Sequence, residues 1–418
     1  MNVKDDQTKV RLGVIGLGGR GRGLLGALLE MKDVEIAAVC DLYDDRLRMG
    51  VDQVVASGRQ KPGSYSDYKE LLARDDIKGV IIPSSWSSHV EIAIAAMKAG
   101  KYAAPEAGGA SSLEECWDLV RTSEETGMPC MMLENVCYGR NEMALINMIK
   151  KGLFGELIHC QSGYEHDLRD EVALGIENRH YRIHNYLNRN ADIYPTHGIG
   201  PVSKFLGINR SNRFLSLTSM ASKARGLHEW IADHRGTDHP MAKAEFAQGD
   251  IVTTMIKCAQ GETVLLTHDT TLPRPYSRAG RVQGTKGIWM EDNNSIHLQG
   301  KSPEHTWESF DPYREENEHP LWKEYISLGV RGGHGGMDYL CLRSFVESVK
   351  MKISTPIDVY DTAAWMAVTA LSEQSIALGG SSVAFPDFTN GKWINRTPGP
   401  KSKYSLDEVD DSLFFETV

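Results

Sequence analysis

The chain has 418 residues, 41% hydrophobic and 24% charged, the make-up of a globular protein long enough for two cores. A net charge of −10 offers no basic face to nucleic acid or an anionic membrane, and no apolar run reaches the roughly 18–20 residues of a bilayer span. Seven scattered cysteines never form a CxxC pair, so neither a disulfide framework nor a cysteine metal site is expected.

The first apolar run, Val10 to Ile15, reads as a strand and breaks into Gly16-Leu17-Gly18-Gly19-Arg20-Gly21. Leu24, Leu25, Leu28 and Leu29 then recur at helical spacing. A second apolar run, Val34 to Cys40, stops at Asp41, 20 residues after Gly21. Strand, glycine turn, helix, strand and acid in that order predict a dinucleotide site. The glycines permit a tight turn and close approach of a pyrophosphate, the helix N-terminus at Gly19 and Arg20 supplies N–H groups, and the acid holds a ribose hydroxyl. Asp41 favours NAD over NADP, because its charge repels a 2′-phosphate.

The alternation of strands and helices continues. A short helix is expected at Lys69–Ala73 and a strand at Gly79–Pro83, continuous in apolar residues as a sheet covered on both faces should be. Ser84-Ser85-Trp86-Ser87-Ser88-His89 then lies at the carboxyl edge, where doubly wound sheets bind ligands. A helix at Glu91–Ala99 ends at Gly100, and a strand at Lys101–Ala104 leads into Pro105-Glu106-Ala107. Ser111 and Glu114 have capping-box spacing for a helix running to Thr126. A strand at Met128–Leu133 and a helix from about Asn141 to Lys151 close this part, so residues 1–140 read as a Rossmann dinucleotide-binding domain. Beyond Gly155 strands dominate: Glu156–Tyr164, Phe214–Ala221, Asp250–Ala259, Thr263–Asp269 and Arg281–Met290, with late helices near Asp338–Met351 and Asp361–Leu378. Residues 141–418 therefore read as an α+β domain on an open, mostly antiparallel sheet, with an irregular tail from about 385.

The densest polar cluster outside the first domain runs from Arg179-His180-Tyr181-Arg182 to Tyr194-Pro195-Thr196-His197. Such side chains can transfer protons and hold sugar hydroxyls, although a solvated loop has the same composition. His180 and His184 stand four apart without an HExxH pattern, so no metal site is assigned. Arg274-Pro275-Tyr276 follows a strand and can present Tyr276 at a sheet edge, and Arg331 to Gly336 is a glycine-rich helix entry. A GxSxG nucleophile elbow is absent. Asp167, Asp170, Glu171 and Asp192 offer carboxylates, but pairing for ordinary glycoside hydrolysis is a separation in space.

With GLGGRG, the two-domain plan resembles the oxidoreductases of glucose–fructose oxidoreductase, inositol dehydrogenase and rhizopine catabolism. More narrowly, WSSH, SLEECWD, ENVCY, GYEHDLR, NRNADIYPTHGIGP, INRSNRF, SKARGLH, QGDIVTT, THDTTLPRPY, VQGT, GHGGMDY, PIDVYD and PDFTNGKW resemble glycoside hydrolase family 109 across nearly the whole chain. The resemblance implies an α-N-acetylgalactosaminidase with a tightly bound NAD regenerated in every cycle. It implies cofactor contacts at Gly19, Arg20, Asp41, Trp86, Ser87, Ser88, His89, Glu106, Ala107, Asn135 and Tyr194. It places substrate contacts at Tyr164, Arg182, Tyr194, Pro195, Thr196, His197 and Tyr276, with His197, Tyr194, Tyr164 and Tyr276 as candidate proton carriers. Two departures stand out. The Glu-Lys-Pro of the wider oxidoreductases is replaced by Ala-Pro-Glu-Ala, and Ser87 and Ser88 take the place of two bulky residues, which is expected to loosen the nicotinamide pocket.

The implied chemistry is oxidation at C3 of the sugar, elimination across C2 and C1, addition of water and reduction. The rival readings are a free-running NAD-dependent sugar or cyclitol dehydrogenase, a β-hexosaminide hydrolase of the same mechanism, and a sugar or NAD sensor without catalysis. The partner expected is a glycan ending in N-acetylgalactosamine, and open-sheet domains of this kind suggest a homo-oligomer. No signal-peptide core is seen in MNVKDDQTKV, while the family often uses an export leader, so the compartment is left unassigned.

Overall fold

The computed structural model describes residues 9–414. Five short strands, β1 (Val10–Ile15), β2 (Val34–Cys40), β3 (Gly63–Tyr65), β4 (Gly79–Ile82) and β5 (Tyr102–Pro105), form a parallel sheet in the order β3-β2-β1-β4-β5. β4 is buried along its whole length, as its unbroken apolar run demands. The turn after β1 can only be made of glycine. Gly16 has φ +108°, and a Cβ on Gly21 would stand 2.0 Å from the Gly16 carbonyl oxygen.

Four local expectations shift. The segment Met128–Leu133 is not a full strand but two parallel bridges, Ala103 with Cys130 and Glu106 with Leu133. The Met131 and Leu133 amides donate to the Ala103 and Pro105 carbonyls, but Pro105, between the bridged residues Ala103 and Glu106, has no N–H to return a bond and complete the ladder. The capping box is made by Ser112 and Glu115, one residue later than expected, because the doubled SSLEE offers the same spacing twice. The helix expected from Glu91 begins at Trp86, so the Trp86–His89 segment is its first turn and not a free loop. Arg281–Met290 folds into two strands, because Gly284-Thr285-Lys286-Gly287 makes a hairpin turn between them.

The second sheet has nine strands: β6 (Leu157–Glu165), β7 (Phe214–Ala221), β8 (Ile251–Cys258), β9 (Thr263–Asp269), β10 (Arg281–Gly284), β11 (Gly287–Met290), β12 (Ser295–Leu298), β13 (Glu308–Ser309) and β14 (Val383–Ala384). Their order is β13-β12-β11-β10-β6-β9-β8-β7-β14, antiparallel throughout except for the parallel pair β6–β9. This is the open, mostly antiparallel sheet expected. β8 alternates buried and exposed residues, so one face of the sheet is packed. The helix Thr196–Phe205 lies on β6 so closely that a Cβ on Gly198 would stand 2.9 Å from the Gly163 amide nitrogen. The late helix Met337–Met351 returns to the first sheet, where Arg343 grips Asp33 with two bonds of 2.6 and 2.8 Å. All seven cysteines are buried and free.

Three histidines set an acid limit on stability. His89, His268 and His319 are buried, and burial lowers their pKa values to about 4, about 3 and about 3. Above about pH 6.5 the three are neutral in both folded and unfolded chains, so the stability they permit is fully present. As the pH falls further, the unfolded chain gains protons that the folded one refuses until about pH 4 or below. Each histidine then removes on the order of 1 kcal/mol per pH unit. Urea midpoints measured from pH 7 to 4 are expected to drop steeply below 6.5; a flat profile would show that these imidazoles titrate normally.

Candidate active site

The carboxyl ends of β1, β2, β4 and β5 face the start of the helix Thr196–Phe205, and the candidate site lies where they meet. On the first domain the glycine turn forms a cradle. A Cβ on Gly19 would meet nothing within 4 Å, and one on Gly18 would meet only the Arg46 guanidinium at 3.7 Å. That free space, beside the N-terminus of the helix Gly19–Leu29, suits a pyrophosphate. Asp41 ends β2 and accepts the Leu17 and Tyr43 amides at 2.6 and 2.9 Å, which places its carboxylate against the turn as a ribose partner requires. Asn135 Oδ1 is buried without a partner, a further polar atom available to a bound group. The residues present therefore fit a dinucleotide.

Arg20 does not stand free for a phosphate. Its guanidinium bonds Glu106 at 2.7 Å and Asp338 at 2.7 and 2.9 Å. Asp338 in turn takes the Asn135 amide at 2.7 Å and His334 Nδ1 at 2.8 Å, so the glycine-rich helix entry is absorbed into this network. The charges of Arg20 and His334 overcome burial and hold the Asp338 carboxyl well below its usual range. The other Glu106 oxygen accepts the Ala107 amide at 2.9 Å, so Glu106 is fixed in one orientation.

Across the cleft, side chains from both domains make an aromatic box. Trp86 stacks on Tyr194 at 5.4 Å between centroids, meets Tyr181 edge-on at 5.1 Å and donates to the Ala107 carbonyl at 3.2 Å. Arg182 lies 5.2 Å over both Trp86 and Tyr194. Tyr164, from β6, packs 4.5 Å from Tyr194 and 5.4 Å from His197, and the half-exposed Tyr276 stands 6.3 Å from Tyr164. Burial raises the phenols of Tyr164 and Tyr194 above their usual pKa, so both are neutral and can donate.

Two His–Tyr pairs sit in this box. His197 Nδ1 is 2.7 Å from Glu134 Oε1, and its Nε2 is 3.4 Å from the Tyr194 hydroxyl. Glu134 is fully buried and also holds the Val136 amide. A carboxylate on Nδ1 fixes the proton there and leaves Nε2 as the acceptor. His166 Nδ1 lies 3.1 Å from the Tyr164 hydroxyl. Burial, reinforced by the Arg182 charge, lowers the His166 pKa, so this imidazole is neutral and has a lone pair free to accept a proton.

The structure thus brings together Trp86, Tyr164, Arg182, Tyr194, His197 and Tyr276 of the expected set. Pro195 caps the helix Thr196–Phe205, and Thr196 is fully buried with an unpaired hydroxyl. Ser87 is exposed, and Ser88 Oγ donates to Ser84 Oγ at 2.8 Å. His89 is turned inward onto the Ser84 carbonyl at 3.1 Å. Among the carboxylates, Asp167 is tied to Arg169, and burial pushes the Asp192 carboxyl up to about 7. His184 is exposed, His180 lies 3.6 Å from Glu171, and among the described residues no metal-binding group of three His, Cys, Asp or Glu forms. Glu134, His166 and Asp338 carry no role in the sequence reading. His166 directly follows the last residue of β6 and stands two residues from Tyr164, the spacing that in extended chain returns to the same side.

The model of the glycosyl hydrolase 109 C-terminal domain matches residues 138–395, and that of an oxidoreductase family with an NAD-binding Rossmann fold matches residues 10–134. A glycosyl hydrolase family 109 protein of Stenotrophomonas maltophilia is 47% identical over 414 residues, covering 93% of this chain and 91% of its own length. The chain belongs to glycosyl hydrolase family 109. Another relative, an alpha-N-acetylgalactosaminidase of Tannerella forsythia, is 45% identical over 93% of this chain and 88% of its own. In fold, the chain is similar to solved dehydrogenases. Levoglucosan dehydrogenase, solved with NADH and levoglucosan, matches at a TM-score of 0.67 and 19% identity over 91% of this chain and all of its own. The protein is thus a glycoside hydrolase built on an oxidoreductase fold.

Proposed function

We propose that the protein removes terminal α-linked N-acetylgalactosamine from glycans, with a resident NAD restored in each cycle. The observation that carries this reading is the presence of two separate His–Tyr pairs in one aromatic box at the mouth of a dinucleotide cleft. An elimination route needs two proton relays, one at the C3 hydroxyl and one at C2. The name of the Tannerella relative supports the sugar and the anomer.

The glycine turn and Asp41 would hold NAD, which when bound would supply a reversible oxidation of C3. His197, fixed by Glu134, takes the proton of the C3 hydroxyl at Nε2. A carbonyl at C3 acidifies the C2 proton, and Tyr164 removes it while passing its own proton to His166. The electrons left at C2 form the C1–C2 double bond as the glycosidic oxygen departs from C1. Neutral Tyr194 and cationic Arg182 stabilise the charge that gathers on the C3 oxygen. Tyr276, half-exposed beside His166, borders the departing group. The departed oxygen takes a proton from solvent. Water adds its hydroxyl at C1 and gives its proton to solvent, and a proton returns from His166 through Tyr164 to C2. Reversal of the oxidation would then restore the C3 hydroxyl, with His197 returning the proton to its oxygen. No pair of carboxylates flanking an oxocarbenium ion is required.

The test uses the purified protein, without added cofactor, and an aryl α-N-acetylgalactosaminide in deuterated water. Released sugar carrying deuterium at C2 is expected; hydrolysis with C2 unlabelled overturns the mechanism. A parallel series of α- and β-linked aryl glycosides decides the anomer, and accumulation of NADH would indicate a dehydrogenase instead.

A further inference from the structure

We propose that Arg179, a residue of the second domain, closes the adenosine half of the NAD site and retains the cofactor between turnovers; this rests on the NAD-dependent reading above. Tyr43 follows the ribose-binding Asp41 by two residues, and the Asp41 carboxylate holds its amide. Two guanidiniums approach its ring, Arg179 at 4.5 Å and Arg46 at 4.8 Å from the centroid. Arg179 also grips Asp45 with bonds of 3.1 and 2.7 Å. Arg46 donates to the carbonyls of Asn178 and Arg179 at 3.3 and 3.2 Å, while the same side chain reaches to 3.7 Å of the position a Gly18 Cβ would occupy. A continuous bridge therefore runs from the glycine turn, through Arg46, to a loop of the other domain.

The loop is held in a costly shape to make that bridge. Arg179 has φ +52°, a left-handed conformation that a non-glycine residue keeps only when its surroundings impose it. The Arg179–Asp45 pair is half exposed and adds little by itself, so the retention comes from the pair, the stacked ring and the two carbonyl contacts acting together. An aromatic base is the ligand chemistry suited to this rim, since a tyrosine face and planar guanidiniums both stack on one. Asp41 sets the ribose beside it. NAD leaves only when the Arg179 bridge opens, which matches a cofactor that is not exchanged during the cycle.

The experiment loads the full chain with tritiated NAD and follows its release into excess unlabelled NAD. Arg179→Ala is expected to release the label on the order of tenfold faster, the scale of two lost guanidinium–ring and pairing contacts. Asp45→Asn is expected to speed release to a smaller extent, and the exchanged pair Arg179→Asp with Asp45→Arg to slow it again. Melting temperatures of the variants control for folding, and Asp45→Asn carries the test should Arg179→Ala fail to fold. Release from Arg179→Ala, or from Asp45→Asn in its place, at the unmodified rate overturns the bridge alone. Failure of the unmodified protein to bind NAD overturns the cofactor reading, and the bridge with it.

Discussion

Glu134→Gln and His197→Ala each lower kcat by about 10²–10⁴, and the double variant is no worse than the more damaged single one. The argument is tautomeric. Glu134 is fully buried and its Oε1 sits 2.7 Å from His197 Nδ1, so the carboxylate keeps the proton on that nitrogen and the lone pair on Nε2. Glutamine can present its amide nitrogen to Nδ1, which moves the proton to Nε2 and removes the acceptor that faces Tyr194. The two residues act as one unit, which is why their effects do not add. The measurement is kcat on an aryl α-N-acetylgalactosaminide, with NAD content determined on the same samples. Full activity of Glu134→Gln at normal NAD content would remove His197 from the role of base.

The second large effect is expected at the turn after β1. In Gly21→Ala the new Cβ would stand 2.0 Å from the Gly16 carbonyl oxygen and 2.9 Å from its carbon. Both are backbone atoms, so the turn must open. Overpacking of this kind costs about 1–3 kcal/mol, and displacing a binding loop by about an ångström can cost on the order of a hundredfold in function. Both melting temperature and NAD affinity should fall. Gly19→Ala separates the two effects, because its Cβ meets nothing within 4 Å and the space it fills is the space assigned to the pyrophosphate. It should weaken NAD binding at unchanged melting temperature. Normal NAD affinity in Gly19→Ala would move the pyrophosphate elsewhere.

Where the sequence was informative, a local rule and a tertiary demand coincided. β8 lies within one residue of its expected bounds at each end, because its alternation of buried and exposed residues is also the packed face of the sheet. The glycine turn was legible because the chemistry of a phosphate loop is local. Errors fell where two local solutions were equivalent, as in SSLEE, or where an absent amide hydrogen broke a ladder, as at Pro105. The site was legible in part for the same reason. Tyr194 and His197 share one helix start and stood out together, whereas Glu134 became visible only when His197 was laid against it from 63 residues away. Asp338 stands in the GHGGMDY stretch, but nothing local tied it to Arg20, 318 residues away.

That last contact has a consequence for synthesis. The dinucleotide domain, about a third of the protein, is nearly complete once Asn135 has left the ribosome, yet the carboxylate that fixes Arg20 and Asn135 lies 203 residues beyond Asn135 along the message. At elongation rates of about 5–20 residues per second the delay is about 10 to 40 s. During that interval the nascent Rossmann unit has a basic Arg20 without its Asp338 counter-charge and a sheet flank not yet covered by the helix Met337–Met351. Assembly of the cofactor pocket is therefore a late event in the life of the chain, completed only when its carboxyl-terminal third folds back onto its beginning.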